Sequence, residues 1–128
     1  MARPCVDPAR VDAMVDELWH DEVGGLLALP LADTLKRADG ARRVQETVDR
    51  AALWRAQTPQ MFRFGVLEAA LRAARAAGAE TTDEAMAVER TGLRPKLLAG
   101  SADNIKVTVA EDMELAEYYL SRPRGRPA

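Results

Sequence analysis

The stretch Leu26-Leu27-Ala28-Leu29 decides the fold, because it is an uninterrupted apolar run of strand length. A strand covered on one face alternates between apolar and polar residues, whereas a strand covered on both faces is apolar throughout. Gly24-Gly25 precedes the run and Pro30 follows it, and both residue types commonly bound regular elements. The stretch therefore predicts a central strand with both faces covered.

Helical patterns lie on both sides of this strand. Asp7-Pro8 predicts a helix start, since aspartate can cap a helix and proline suits its first position. Thr81 to Glu84 and Thr108 to Glu111 have the spacing of capping boxes. The predicted helices run from Asp7 to about Glu22, where Gly24-Gly25 ends the pattern, from Phe64 to Ala77, from Thr81 to Thr91 and from Thr108 through Leu120.

The segment after the central strand predicts a polar hairpin. Asp39-Gly40 is a strong turn signal between a strand around Thr34 to Arg37 and a returning strand near Arg43 to Asp49. Both faces of these strands are polar, so we expect the hairpin to project from the body. Two further strands are predicted at Arg94 to Ala99 and at Ile105 to Val109, the latter because apolar residues alternate with Lys106 and Thr108.

The order of these elements predicts an α/β fold, a partial doubly wound and mostly parallel sheet with a protruding β-hairpin arm. We expect one domain over residues 1–121, with the arm at about 31–58 and a disordered Pro- and Arg-rich tail over 122–128. A chain of 128 residues is long enough for one hydrophobic core.

Composition and charge exclude several classes of protein. The net charge of -2 lacks the basic excess of a nucleic-acid binder. No apolar run approaches the ~20 residues that cross a bilayer, and the N-terminus lacks the apolar core of a signal peptide. One cysteine, Cys5, cannot form an internal disulfide. We therefore expect a soluble cytoplasmic protein without nucleic-acid or membrane partners.

Common catalytic constellations are also missing. His20 is the only histidine, so with Cys5 it cannot complete a zinc site, and it is expected at the surface of its helix. Ser101 and Ser121 lie outside any Gly-x-Ser-x-Gly turn, which argues against a Ser-His-Asp hydrolase. Neither glycine-rich phosphate-binding motif occurs in the chain.

What remains is a set of hydroxyl and cationic residues at the ends of predicted elements: Arg3, Thr34, Arg50, Thr58, Thr82 and Lys106. Hydrogen-bond donors and fixed positive charge are what a phosphate site requires. Each residue also has a simpler structural interpretation, such as Thr82 as a helix cap and Arg50 as a solvated turn residue. The pattern alone leaves both interpretations open.

Four groups of residues together resemble one enzyme family. They are Ala2 to Cys5; Asp33 to Arg37; Thr47 to Arg50 with Leu53 to Phe62; and Thr82 to Ala85 with Ala102 to Thr108. In order and interval, from Ala2 to Leu120, they resemble 2-C-methyl-D-erythritol 4-phosphate cytidylyltransferase of the non-mevalonate route to isoprenoids. The segments Thr58-Pro59-Gln60 and Asp103 to Thr108 are the most specific.

The resemblance implies a reaction and an assembly. CTP and 2-C-methyl-D-erythritol 4-phosphate would give 4-diphosphocytidyl-2-C-methyl-D-erythritol and pyrophosphate, with magnesium, in a homodimer whose β-arms cross between subunits. Arg3, Thr34 and Thr82 would bind the sugar phosphate from one subunit, and Arg50 and Thr58 from the partner's arm. Lys106 would steer the attacking phosphate. The resemblance thus implies that Arg50 and Lys106 are the catalytic residues. Such a displacement depends on charge placement rather than on an acid–base pair.

The sequence departs from the family at its start. Family members are longer, and their first half carries the glycine-rich loop and an Asp-Ala-Ala-Arg-Pro motif with the metal-binding aspartate. Here Met1-Ala2-Arg3-Pro4 places that aspartate before Met1. We therefore expect the C-terminal half of such an enzyme, without a metal ligand of its own and inactive alone. Two alternatives are a non-catalytic module that dimerises or binds a sugar phosphate, and a related cytidylyltransferase for ribitol phosphate.

Overall fold

The computed structural model describes residues 2–123. The helices are α1 (Pro8–Leu18), α2 (Phe64–Ala76), α3 (Glu84–Glu89) and α4 (Ala110–Ser121). The strands are β1 (Gly24–Pro30), β2 (Leu35–Ala38), β3 (Val44–Val48), β4 (Trp54–Phe62) and β5 (Lys96–Ala99). Of the predicted tail over 122–128, residues 124–128 lie outside the described residues. None of the helices in the described range is long and apolar enough to cross a membrane.

The apolar run forms the middle strand of a three-stranded sheet in the order β4-β1-β5. Strand β1 runs antiparallel to β4 and parallel to β5, so this described part of the sheet is mixed. Residues Gly24 through Ala28 are all buried, as a strand covered on both faces requires. The α/β class is confirmed, with helices packed against a partly parallel sheet.

Gly24 and Gly25 were predicted to end the first helix, and this prediction is wrong, because both lie in β1. Gly24 has φ +124°, and a Cβ there would lie 2.2 Å from the carbonyl oxygen of Met61 in β4. A Cβ on Gly25 would lie 2.4 Å from the carbonyl oxygen of Lys96 in β5. The two glycines therefore allow both neighbouring backbones to approach the start of β1.

Helix α1 begins as predicted and ends earlier than predicted. The Asp7 carboxylate accepts a hydrogen bond from the N–H of Ala9 at 3.0 Å, and Pro8 is the first helical residue. The helix ends at Leu18, and the Asp21 carboxylate then accepts bonds from the N–H groups of Val23 (2.9 Å) and Gly24 (2.8 Å). These bonds lower the pKa of Asp21 and fix the turn into β1.

Two buried clusters hold the helices against the sheet. The first joins Met14 and Leu18 of α1 to Leu27 of β1 and Leu98 of β5. The second packs α2 against α3 and contains Ala70, Ala74, Ala87 and Val88, with Val23 and Phe62 at its edge. Small residues in the second cluster bring the two helices close together.

The predicted hairpin forms a separate two-stranded sheet of β2 and β3, with Leu35 paired to Val48. Its turn is held by the Asp39 carboxylate, which accepts bonds from the N–H groups of Ala41 (2.8 Å) and Arg43 (2.9 Å). Every residue from 36 to 47 is exposed. From Trp54 onward β4 pairs with β1, so residues 54–58 of the predicted arm also belong to the central sheet, and the arm itself stays a prediction.

Two other local predictions are wrong. Residues Ile105 to Val109 form no strand: the N–H of Ile105 bonds locally to Asp103 at 2.8 Å, and that of Val107 to Ala2 at 2.7 Å. Ile105 and Val107 are nevertheless less exposed than Lys106, so an irregular segment produces the alternation that indicated a strand. Helix α3 is capped by Asp83, which accepts a bond from the N–H of Met86 at 2.8 Å, rather than by Thr81.

We expect Gly24→Ala to lower the free energy of unfolding by about 3 kcal/mol or more, because the new Cβ meets the backbone of β4 at a positive φ. Urea unfolding followed by circular dichroism measures the change. Gly65→Ala is the control, since a Cβ at that position would have nothing within 4 Å and alanine suits helix α2. Equal unfolding midpoints for the two variants would contradict the expected close approach.

Candidate functional site

Three of the predicted site residues meet where β4 passes the N-terminus and the segment before α4. The Arg3 guanidinium donates to the carbonyl of Asn104, and the side-chain Nδ2 of Asn104 donates to the carbonyl of Thr58 at 2.8 Å. The N–H of Val107 donates to Ala2 at 2.7 Å, which holds the segment carrying Lys106 beside Arg3. Arg3, Thr58 and Lys106 therefore lie at one polar edge.

A bulge in β4 shapes this edge. Gln60 pairs with Leu26 and Ala56 with Ala28, so the three residues 57–59 lie opposite Leu27 alone. The Thr58–Pro59 peptide bond within the bulge is cis. Bulges redirect side chains at functional edges, and here Thr58 is exposed while Gln57 is only 3% exposed.

The buried Gln57 amide binds the turn that follows β5. Its Nε2 donates to the carbonyl of Ser101 at 2.9 Å and its Oε1 accepts from the N–H of Ser101 at 3.3 Å. A Cβ on Gly100 would lie 2.1 Å from Gln57 Oε1, so a larger residue there would displace the amide from its present position. Sequence reasoning missed Gln57 and Asn104 as individual residues, although both lie inside the segments that carry the family resemblance.

Thr82 is linked to the same strand through its neighbour. The Gln60 amide donates to the Asp83 carboxylate at 2.9 Å and accepts from the N–H of Ala85 at 2.9 Å, which ties the start of α3 to β4. Thr82 is exposed, and its N–H and hydroxyl approach the Met86 sulfur at 3.5 and 3.6 Å. The residue lies one position before the cap, not at the cap itself.

Thr34 and Arg50 lie apart from these residues. Because Leu35 pairs with Val48, Thr34 and Arg50 leave the same end of the hairpin, and both are exposed. Within one chain, Thr58 lies in β4 of the central sheet, whereas Thr34 and Arg50 flank the hairpin strands. Which subunit would supply each residue to a shared site stays a prediction.

The polar edge is positively charged. Burial lowers the pKa of Arg3, and the positive charge of nearby Arg55 lowers it further. Among residues 2–123, no acidic side chain forms an ion pair with Arg3, Arg55 or Lys106. Cations held together without compensating carboxylates favour a bound anion. Sequence reasoning also missed Arg55 as an individual residue, although it lies in the Leu53 to Phe62 segment that carries the family resemblance.

The described residues contain no cluster of three potential metal ligands, whether His, Cys, Asp or Glu, that could hold a metal ion. The nearest carboxylate on the segment before Lys106 is that of Asp103, which accepts a hydrogen bond from the Ser101 hydroxyl. The donor set at this edge consists of cations, hydroxyls and amides, which suit an anion rather than a cation.

Helix α4 fixes the far end of the Lys106 segment through Asp112. The Asp112 carboxylate accepts bonds from the N–H of Thr108 (2.8 Å), its hydroxyl (3.0 Å) and the N–H of Val109 (3.1 Å). These bonds lower the pKa of Asp112. The acidic partner of this cap is therefore Asp112, where the sequence predicted Glu111.

Comparison with known proteins gives a consistent family. The model of the family 2-C-methyl-D-erythritol 4-phosphate cytidylyltransferase matches residues 1–122. A protein of that name from Azoarcus sp. (strain BH72) is 56% identical over 124 residues, which are 97% of this chain and 51% of that protein. The one from Thiobacillus denitrificans is 52% identical over 94% of this chain and 52% of its own. The chain thus spans about half the length of the curated relatives it matches.

Solved structures show the same likeness. The crystal structure of a 4-diphosphocytidyl-2C-methyl-D-erythritol synthase has a TM-score of 0.82 and 42% identity, over 94% of this chain and 54% of that chain. The structure of the 2-C-methyl-D-erythritol 4-phosphate cytidylyltransferase of Francisella tularensis has a TM-score of 0.82 and 33% identity, and the match covers 91% of this chain and 55% of that chain.

We expect the pKa of Asp112 to rise towards its ordinary value in Thr108→Val, because the variant removes the hydroxyl donor and keeps both backbone donors. Because the pKa of Asp112 is lower in the folded chain than its ordinary value of 3.8, the ionised carboxylate stabilises the fold fully above pH 3.8. This stabilisation is lost as the pH falls through the lowered pKa of the folded state. Carboxyl carbon shifts followed by NMR during acid titration measure the pKa. Thr91→Val is the control, since its hydroxyl bonds to Val88 at the end of α3. An unchanged Asp112 titration in Thr108→Val would contradict the assigned cap.

Proposed function

This chain belongs to the 2-C-methyl-D-erythritol 4-phosphate cytidylyltransferase family, and from this we propose that its residues bind the polyol phosphate during cytidylyl transfer from CTP. The products would be 4-diphosphocytidyl-2-C-methyl-D-erythritol and pyrophosphate. The observation that carries the proposal is that Arg3, near the positive charge of Arg55, bonds to Asn104 beside Thr58 and forms no ion pair with a carboxylate of the described residues.

The proposed chemistry needs charge placement rather than a nucleophilic side chain. The phosphate oxygen of the polyol attacks the α-phosphorus of CTP, and both reactants are anions that repel one another. Cations that hold the two phosphates in line reduce this repulsion and fix the geometry of attack. Arg3 is suited to this role, because its bonds to the carbonyls of Asn104 and Ala56 orient the guanidinium while other N–H groups stay available.

Lys106 is proposed to orient the attacking phosphate. It is exposed and lies between Asn104, which bonds to β4, and Val107, which bonds to Ala2. An ammonium group on a long stem can follow a phosphate oxygen as the charge moves. Thr58 and Thr82 would add neutral donors to the same phosphate.

The proposal assigns this chain the polyol-phosphate part of the reaction. The sequence contains no glycine-rich phosphate loop, and no three potential metal ligands come together among the described residues. CTP and magnesium are therefore not assigned to any residue of this chain, and we expect no pyrophosphate release from it alone. A second candidate, a non-catalytic module that binds a sugar phosphate, is favoured by the same two features.

The hairpin is proposed to reach a second copy of the chain in a homodimer. In residues 2–123, β2 and β3 pair only with each other, and residues 36–47 are exposed. An isolated two-stranded hairpin is marginally stable in water, so a surface on a second copy would order it. Thr34 and Arg50, at the base of the hairpin, would then join the partner copy's cationic edge.

We expect Lys106→Ala to weaken binding of 2-C-methyl-D-erythritol 4-phosphate at least tenfold, since a hydrogen bond to a charged group contributes about 1.5–3 kcal/mol. Isothermal titration calorimetry measures the affinity, with ribitol phosphate as the competing polyol. Lys96→Ala is the control, because Lys96 is also exposed and lies in β5.

Equal affinities for the wild type and Lys106→Ala would refute the assigned phosphate site. Pyrophosphate release by the wild-type chain with CTP, magnesium and the polyol phosphate would refute the proposal that this chain alone binds only the polyol phosphate. Tighter binding of ribitol phosphate would transfer the proposal to that substrate.

We expect replacement of residues 37–46 by two glycines to convert the dimer into monomers, because the variant removes the projecting part of the hairpin. Light scattering coupled to size-exclusion chromatography measures the mass. The control is the double variant Arg37→Ala/Glu46→Ala, which removes an exposed ion pair of 2.7 Å and keeps the hairpin length. A wild-type monomer, or a shortened variant that remains a dimer, would contradict the proposed arm.

A further inference from the structure

The buried amides of Gln57 and Asn104 lie between the residues of the proposed phosphate site. We propose that they are positioning residues, which hold the segment carrying Lys106 against β4 and so fix Lys106 relative to Arg3 and Thr58. The inference rests on the proposed function, because its consequence is the affinity of that site for a phosphate ester.

Both amides connect the bulge of β4 to the segment after β5. Gln57 Nε2 donates to the carbonyls of Ser101 (2.9 Å) and Asn104 (3.4 Å). Asn104 Nδ2 donates in the opposite direction, to the carbonyl of Thr58 at 2.8 Å. Gln57 is 3% exposed and Asn104 is 2% exposed, so water competes little for these bonds.

The backbone of Asn104 couples the amides to Arg3. The carbonyl of Asn104 accepts bonds from both the Arg3 guanidinium and Gln57 Nε2. A carbonyl has two lone pairs and can accept both donors. Movement of this peptide group would therefore reorient Arg3 at the same time as it displaced Lys106.

The Lys106 segment has few other connections to the body. No strand ladder includes residues 101–109 within the described range. Its backbone–backbone bonds to the rest of the chain are those of Val107 to Ala2 at 2.7 Å and of the Asp112 N–H to Val109 at 3.2 Å, with Gly100 bonded to Ala28 at 2.8 Å just before it. Between Gly100 and Val107, the side chains of Gln57, Asn104 and Arg3 supply the connections to the body.

The Asn104 amide offers a sharp substitution. Its Nδ2 donates to the carbonyl of Thr58, which is an acceptor, and its Oδ1 has no hydrogen-bond partner among the described residues. Asn104→Asp keeps the shape of the side chain but replaces the Nδ2 donor with a carboxylate oxygen, which would face the carbonyl oxygen of Thr58. Gln57→Glu likewise removes the donor to Ser101 and keeps the acceptor, and it serves as a second variant if Asn104→Asp does not fold.

The test is a double-mutant cycle with Lys106→Ala, measured as the affinity for 2-C-methyl-D-erythritol 4-phosphate. We expect Asn104→Asp and Gln57→Glu each to weaken binding about tenfold, a loss of about 1.4 kcal/mol, in the wild-type background. In the Lys106→Ala background we expect a smaller loss, because the ammonium group they position is already absent. Ala74→Gly is the stability control, since it weakens helix α2 away from the segment.

A loss of affinity by the same factor in both backgrounds would overturn the proposal, as would an equal loss in Ala74→Gly at matched stability. Hydrogen exchange provides a measurement without ligand: the Val107 amide, bonded to Ala2, should exchange faster in both amide variants. Unchanged exchange would also overturn the proposal. If the wild type fails to bind the polyol phosphate but the Val107 amide exchanges faster in the variants, the proposed function is refuted. The conclusion that Gln57 and Asn104 hold the segment carrying Lys106 would then still stand.

Discussion

The structure depends on the close approach of three backbones at the start of β1. Gly24 and Gly25 have no side chain between β1 and the carbonyls of Met61 and Lys96. This approach sets the register of β4 on one side and of β5 on the other. The bulge lies in β4 and Asn104 follows β5, and both strands pair with β1. The two registers therefore also bring the carbonyl of Thr58 within bonding distance of the Asn104 amide.

Strand β4 is paired to β1 near both of its ends and interrupted by a bulge between them. Its two paired ends, at Ala56 and Gln60, fix it to β1, and the three bulged residues between them are freed from the ladder. Because residues 57–59 are released from the ladder, the buried Gln57 amide bonds to Ser101 and the Thr58 carbonyl accepts a bond from Asn104.

The sequence predicted the parts of the fold that local signals encode. The continuous apolar run, the Asp7-Pro8 start and the Asp39-Gly40 turn each act within a few residues, and the structure confirms them. The strand predicted at Ile105 to Val109 was wrong because alternating burial does not require a pairing partner. Gln57 and Asn104 were missed as a pair because they lie 47 positions apart, and no periodicity links two amides at that distance.

The charge of the site acts against the stability of the free chain. Arg3 is partly buried near Arg55, and both effects lower its pKa, which shows that the surroundings disfavour the charged form. An arginine remains protonated at neutral pH under such a shift, so the repulsion persists rather than being relieved by loss of a proton. A phosphate dianion bound between these cations would remove the repulsion, and ligand binding to the folded state raises its stability. Carboxylates beside Arg3 would stabilise the free fold but would compete with a bound anion, and no such ion pair forms at this edge among the described residues.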